Sequence, residues 1–375
     1  MANDRQAPGR ENGSGPTRPE RAAPRPALMR LAMNVLLALG SVAATLAGLE
    51  LAIRLYHGRL FELSPLVGAP VDRAATPGAR YDPQLGWVPA VGVFTHSPRF
   101  TWSTNEASVR NNGPPLPPAP GRPIVTVGDS FTFGDEVMDH ETWPAQLEQR
   151  LGRRVVNGGV LGYGTDQAFL RGAQFIATYE PDVILLAFIS DDVTRAEYSY
   201  LSGAKPYFDY VDGVLTLRNV PVPSGVVAMP SSTRLRAAMG YSFLCNAIFR
   251  RVATRWWTHT ASVRRHRAGG RVTVDLFDRL RALAREHDAE FVAIALATNG
   301  RLGDNARIAP VVRQARQRGI HVLDLVPEVE RMPPDSQAAM FLPGGHYSPA
   351  MNALVATRVA GYLDRLQLPL RQGGS

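Results

Sequence analysis

Five short runs of nearly unbroken apolar residues constrain this chain most: Ile124–Gly128, Val155–Asn157, Asp182–Phe188, Phe291–Ala297 and His321–Leu325. Strands buried on both faces read this way, as parallel strands covered by helices do. Amphipathic stretches lie between them. In Thr142–Leu151, the side chains of Trp143, Leu147 and Leu151 share one face and Gly152 can end a helix. From about Pro349 to Leu366, Met351, Leu354, Val355, Val359, Tyr362 and Leu363 form one stripe. The alternation predicts an α/β fold, a three-layer α/β/α sandwich around a five-stranded parallel sheet.

The rest of the 375 residues divides around that pattern. Residues 1 to about 27 hold Pro, Gly, Ala and Arg with hardly a large apolar side chain, a composition that predicts a disordered tail. Leu31 to Leu49 carries no charge and only Asn34, Ser41 and Thr45 as polar groups, close to the ~20 residues a bilayer core needs. A transmembrane signal anchor over residues 28–55 is the first reading. A cleaved signal peptide, cut near Ala44 or Ala47, is the second, and a buried soluble helix the third. Arg18, Arg21, Arg25 and Arg30 precede the run and only Arg54 and Arg59 soon follow. That bias puts the tail in the cytoplasm and the remainder in the periplasm or outside the cell. A lead-in over 56–120 is expected to pack on a domain spanning 121–370.

An insertion at about 194–270 interrupts the alternation. Its Asp212-Gly213 pair, flanked by alternating apolar residues, predicts a hairpin. Its second part, about Thr233 to Thr258, reads as a helix ending in Arg255-Trp256-Trp257, either a lid or membrane-hugging element or one packed on the domain edge. The formal charge is +8, from 41 Lys+Arg against 33 Asp+Glu, and Lys205 is the single lysine. Such arginine bias without a basic stripe interleaved with aromatics speaks against nucleic-acid binding. The turn after the first run lacks Gly-x-Gly-x-x-Gly, and no two of the eight histidines share ligand spacing with carboxylates or the lone Cys245. Neither cofactor nor metal is expected. The sequence carries no sign of an oligomeric state.

In an open parallel sheet, ligands bind at the carboxyl ends of the strands. Three such ends stand out. After the first, Gly128-Asp129-Ser130 places a hydroxyl at a helix start whose amides face the same spot, although Asp and Ser are also ordinary helix caps. After the second, Gly158-Gly159 and Gly162 let backbone amides approach a ligand, as an oxyanion hole requires, or make an ordinary Gly-rich loop. After the last, His346 precedes the terminal helix, where an imidazole can serve as general base to a serine at the first end. Together, in chain order on one sheet edge, they point to nucleophilic catalysis.

These blocks resemble those of the SGNH/GDSL-type hydrolases. The likeness rests on Val127-Gly-Asp-Ser-Phe-Thr-Phe-Gly134, on Asn157 with Gly162, on Pro181–Ala187 running into Ser190-Asp191-Asp192, and on His346 before a C-terminal helix. It spans about residues 81 to 366, including Tyr81–Trp87 and Thr104-Asn105…Arg110. It implies a flavodoxin-like fold, Ser130 as acyl-accepting nucleophile and His346 as its base. It also implies an oxyanion hole from the Ser130 and Gly162 amides plus an Asn side chain.

Two positions depart from the family pattern. Asp191 stands where that Asn is expected, and losing one oxyanion donor costs on the order of 3 kcal/mol. A protonated Asp191 would still donate, so activity is expected to fall as pH rises. The acid expected two or three residues before His346 is missing, since Gly344 and Pro343 stand there. Asp335 or a backbone carbonyl is the expected substitute. Two functions follow: an extracytoplasmic serine esterase or O-acyltransferase on acylated envelope glycans or lipids, or a degenerate scaffold binding glycan or protein partners.

Overall fold

The computed structural model describes residues 26–58, 60, 74, 76–97, 100–114, 121–224, 235–236, 238–253, 256–257, 262–300 and 304–367. The tail expected over residues 1–27 lies outside them except for its last two positions, as do parts of the lead-in and of the insertion's second half, Arg255 among them. The uncharged run and its flanks make one helix, α1 (Pro26–Tyr56). Within it Met29–Tyr56 is long and apolar enough to cross a membrane, and its most apolar window is wholly unburied. Length and composition fit a span or a signal sequence alike. Two antiparallel hairpins follow, β1 (Ala79–Asp82) with β2 (Gly86–Pro89) and β3 (Gly92–Ser97) with β4 (Phe100–Thr104).

The alternation then unfolds as expected. It runs β5 (Ile124–Val127), α2 (Ser130–Phe133), α3 (Trp143–Leu151), β6 (Val155–Asn157), α4 (Thr165–Tyr179), β7 (Val183–Phe188) and α5 (Ser190–Arg195). The insertion supplies β8 (Tyr198–Leu201), β9 (Tyr207–Val211), β10 (Val214–Arg218), α6 (Phe243–Val252) and β11 (Ser262–Arg264). After it come α7 (Gly269–Glu286), β12 (Glu290–Ala295), α8 (Ile308–Gln317), β13 (His321–Asp324), α9 (Val326–Glu330), α10 (Pro334–Ala339) and α11 (Pro349–Arg365).

β5, β6, β7, β12 and β13 form one parallel sheet in the order β6-β5-β7-β12-β13. Helix α3 packs against α11, while α4 packs against α7 and α7 against α8, covering the sheet. Every residue of β5, β6 and β7 is buried, which is why their sequences show no alternation. Thr142 starts α3 by accepting from the Ala145 amide at 3.2 Å, and Gly152 ends it in the left-handed region at φ 60. The chain moves outward from β5 to β6 and then crosses back to β7. That reversal leaves a crevice beyond the carboxyl ends of β5 and β7, where such sheets bind ligands.

The lead-in joins the sheet at the β6 edge, where the Arg110 amide donates to the Asn157 carbonyl at 3.1 Å. In the insertion, β9 and β10 pair across Asp212-Gly213, both at positive φ, as the Asp-Gly pair predicted. β8 pairs with β11. Lys205 is buried beside Asp166 of α4 in an ion pair and also donates to the carbonyls of Arg195, Tyr198 and Pro206. Burial pushes the Lys205 ammonium down and the Asp166 carboxyl up. Helix α6, which carries half-buried Cys245, starts against α1: Glu50 accepts from Ser242 Oγ and the Leu244 amide, both at 2.8 Å.

Candidate active site

The turn after β5 is tight enough to require its glycine. A Cβ on Gly128 would overlap the Thr132 hydroxyl and the Ala187 carbonyl of β7. Asp129 then caps α2, its Oδ1 accepting from the Phe131 amide at 2.9 Å. The capping that ordinary helix starts would assign to both polar residues thus falls to Asp129 alone. Ser130, the first helical residue and mostly buried, turns its Oγ to His346 Nε2 at 2.9 Å.

His346 is held on a short turn between α10 and α11. The Leu342 amide donates to the His346 carbonyl at 2.8 Å, and the Gly345 amide to the Leu342 carbonyl at 2.9 Å. Next to it, the Tyr347 hydroxyl donates to the Ala297 carbonyl beyond β12 at 2.8 Å. Phe131 packs between the two rings, with centroids 5.1 Å from His346 and 4.8 Å from Tyr347. The end of β5 and the turn before α11, which follows two short helices after β13, are thereby brought together across 216 residues of chain.

For Nε2 to accept the serine proton, the ring's own proton must sit on Nδ1. That nitrogen faces Glu136 Oε2 at 3.4 Å and Asp135 Oδ2 at 3.8 Å. Asp335, the carboxylate expected there, starts α10 and forms no ion pair with His346. Acids do stand beside the imidazole, but they come from the loop after the serine helix. Arg110 fixes that loop. Its buried guanidinium pairs with Asp139 at 3.0 Å and donates to the carbonyls of Phe133 at 2.8 Å, Val137 at 2.6 Å and Gly134.

On the opposite flank, Gly162 sits in the loop after β6 at φ 74. Trp87 Nε1 donates to the Leu161 carbonyl at 3.0 Å, and the buried Tyr163 hydroxyl returns a bond to the Trp87 carbonyl at 2.6 Å. Trp87 of β2 thus braces this loop. Among the described residues, neither the Ser130 nor the Gly162 amide donates to a protein acceptor.

Asp191 lies on α5 after β7, its side chain 42% exposed and 4.0 Å from Arg195, without a hydrogen bond to Ser130 or His346. Burial of its inner part, with Asp129 and Asp304 nearby, raises its carboxyl above the ordinary range. Its neighbour Asp192 is buried and pushed up more strongly by the same burial and by Asp129. Arg195 binds Asp192 at 2.7 Å, Asp129 at 3.1 Å and the Tyr163 carbonyl at 3.2 Å. One guanidinium therefore ties the ends of β5, β6 and β7. Arg110 enters the sequence pattern only as the end of an upstream segment, and Arg195, Asp135 and Glu136 do not enter it. Only two local signals pointed to them, the acidic pair soon after Ser130 and the four-residue step from Asp191 to Arg195. Among the described residues no group of three His, Cys, Asp or Glu side chains is arranged to hold a metal ion.

A parallel sheet in this strand order with a serine and histidine bonded at its rim is the architecture of the SGNH class of hydrolases. Residues 126–310 match the GDSL-like Lipase/Acylhydrolase family, and this part of the chain belongs to it. Ester or acyl hydrolysis is the activity class that goes with that family. Solved structures similar to this chain include a lipolytic protein of the G-D-S-L family from Desulfitobacterium hafniense, with 15% identity over 64% of this chain and 99% of that one and a TM-score of 0.40. A lipase/acylhydrolase from Enterococcus faecalis shares 15% identity over 68% and 100%, with a TM-score of 0.38. A psychrotrophic esterase from Pseudoalteromonas sp. shares 9% over 66% and 98%, with a TM-score of 0.39. A comparison with curated proteins found no match.

Proposed function

We propose that this protein is a membrane-tethered serine hydrolase, an esterase or O-acyltransferase acting on ester groups of envelope glycans or lipids at the extracytoplasmic face. Ser130 Oγ attacks the ester carbonyl as His346 Nε2 takes its proton, and the imidazolium returns that proton to the departing alkoxide. Water or a sugar hydroxyl, deprotonated by the same nitrogen, then releases the acyl group from Ser130. The open amides of Ser130 and Gly162 receive the oxyanion, with Asp191 adding a donor while protonated. The 2.9 Å contact between Ser130 and His346 carries this reading. Helix α1 and the arginines before it support the placement.

A fluorophosphonate probe tests it. Labelling of the wild type that vanishes in Ser130→Ala is the expected result. Asp191 in the amide-donor position favours a second reading, a scaffold that binds glycan or protein partners without turnover. Absence of labelling between about pH 5 and 9 would select that reading instead.

A further inference from the structure

We infer that Glu136 is the carboxylate that orients His346, acting as a positioning residue from the loop that follows the nucleophile. The inference rests on the reading of Ser130 and His346 as nucleophile and base. His346 Nδ1 and Glu136 Oε2 are both buried and 3.4 Å apart, and neither has a hydrogen-bond partner among the described residues. A closure of about half an ångström turns two costly orphan atoms into one charge-assisted hydrogen bond. Contacts of this kind are often long before substrate binds.

The missing acid and the new one are spatially complementary. A Cβ on Gly344, two residues before His346, would overlap the carboxylate of Glu136. The glycine leaves the space that Glu136 fills, so the orienting charge reaches the imidazole from the other side of the site. Glu136 is also held in a costly backbone conformation, with φ 68, where L-residues other than Asn and Asp rarely sit. The Arg110 bonds to the carbonyls of Phe133, Gly134 and Val137 keep the loop in that shape. Asp135 is the competing carboxylate. It lies farther from Nδ1, at 3.8 Å, and its Oδ1 is engaged by the Glu136 amide at 3.1 Å.

The test uses the full chain in detergent, with p-nitrophenyl acetate as probe substrate. Glu136→Gly removes the carboxylate and suits the positive φ, so the Tm is expected to hold or rise while kcat falls on the order of 10³-fold or more with little change in KM. A structural role would instead lower Tm and kcat together. Adding Gly344→Asp to Glu136→Gly puts a carboxylate back into the vacated space and restores at least a tenfold part of the rate. Nitrogen NMR of His346 reads the Nδ1–H tautomer in the wild type and its loss in Glu136→Gly, whether or not turnover is detected. An unchanged tautomer, a rate within threefold of wild type, or a larger fall in Asp135→Asn overturns the inference. If Ser130→Ala matches wild type in hydrolysis and labelling, the nucleophile reading fails instead, while the tautomer still decides the role of Glu136.

Discussion

On one flank of Ser130, every group that approaches the imidazole is placed by a buried element: Phe131 behind the ring, the turn at 341–347 around it, and the loop that Arg110 grips on its far side. On the other flank, the Gly162 loop is braced by Trp87 and Tyr163, and Asp191 holds a half-exposed carboxyl at the position where the family resemblance expects an amide. In the proposed mechanism the proton-moving flank has its acids in place, one short closure from the imidazole, while the charge-stabilising flank depends on the protonation of Asp191. On the proposed reading, such a site would take its pH response from the oxyanion and its geometry from the base.

The contrast can be broken first at the base. His346→Gln is expected to cost on the order of 10⁴-fold in kcat with little change in Tm, as read by steady-state hydrolysis beside a thermal melt. Arg110→Met should act through the fold, because it removes the buried charge paired with Asp139, which keeps only the Ser103 amide and hydroxyl, and takes a donor from the carbonyls of Phe133, Gly134 and Val137. Denaturant unfolding is expected to show a loss of about 3–5 kcal/mol.

Asp191→Asn sharpens the other side. A carboxyl held above its ordinary range stays protonated, and donating, to a higher pH; once ionised it repels the oxyanion. The activity it supports is present below its raised value and lost as pH rises through it. The rate ratio of Asp191→Asn to wild type should therefore grow with pH, by up to about 10²-fold at the alkaline end of a pH profile. A flat ratio would place Asp191 outside the oxyanion site. The smallest effect belongs to Arg358→Ala, which removes a bidentate but exposed pair with Glu328 far from either flank. Unfolding should change by less than about 0.5 kcal/mol.

What the chain reveals of itself before folding follows the range of the forces involved. The five strands are legible because burial on both faces leaves an unbroken apolar signature, and the β9–β10 hairpin because two consecutive positive-φ residues favour Asp-Gly. Ser130 is legible because it falls at a strand end, and His346 because it sits in a polar loop just before the terminal helix, although two short helices separate it from the last strand. Glu136 is not, since its relation to His346 spans about 210 positions and depends on an absence at Gly344. Arg110 and Arg195 are hidden for another reason. Beside their carboxylates they bind backbone carbonyls, which every residue has, so no side-chain pattern marks those partners.

Arg110 also bears on where this chain can be cut. The stretch that matches the family starts at residue 126 and stops at 310, so a fragment trimmed to it would keep the serine and leave behind both the imidazole and the pin that shapes the neighbouring loop. On the proposed reading, a piece that keeps the whole site would start upstream of the Trp87 hairpin and run through the terminal helix, so that the hairpins before the sheet count as frame and not as packaging.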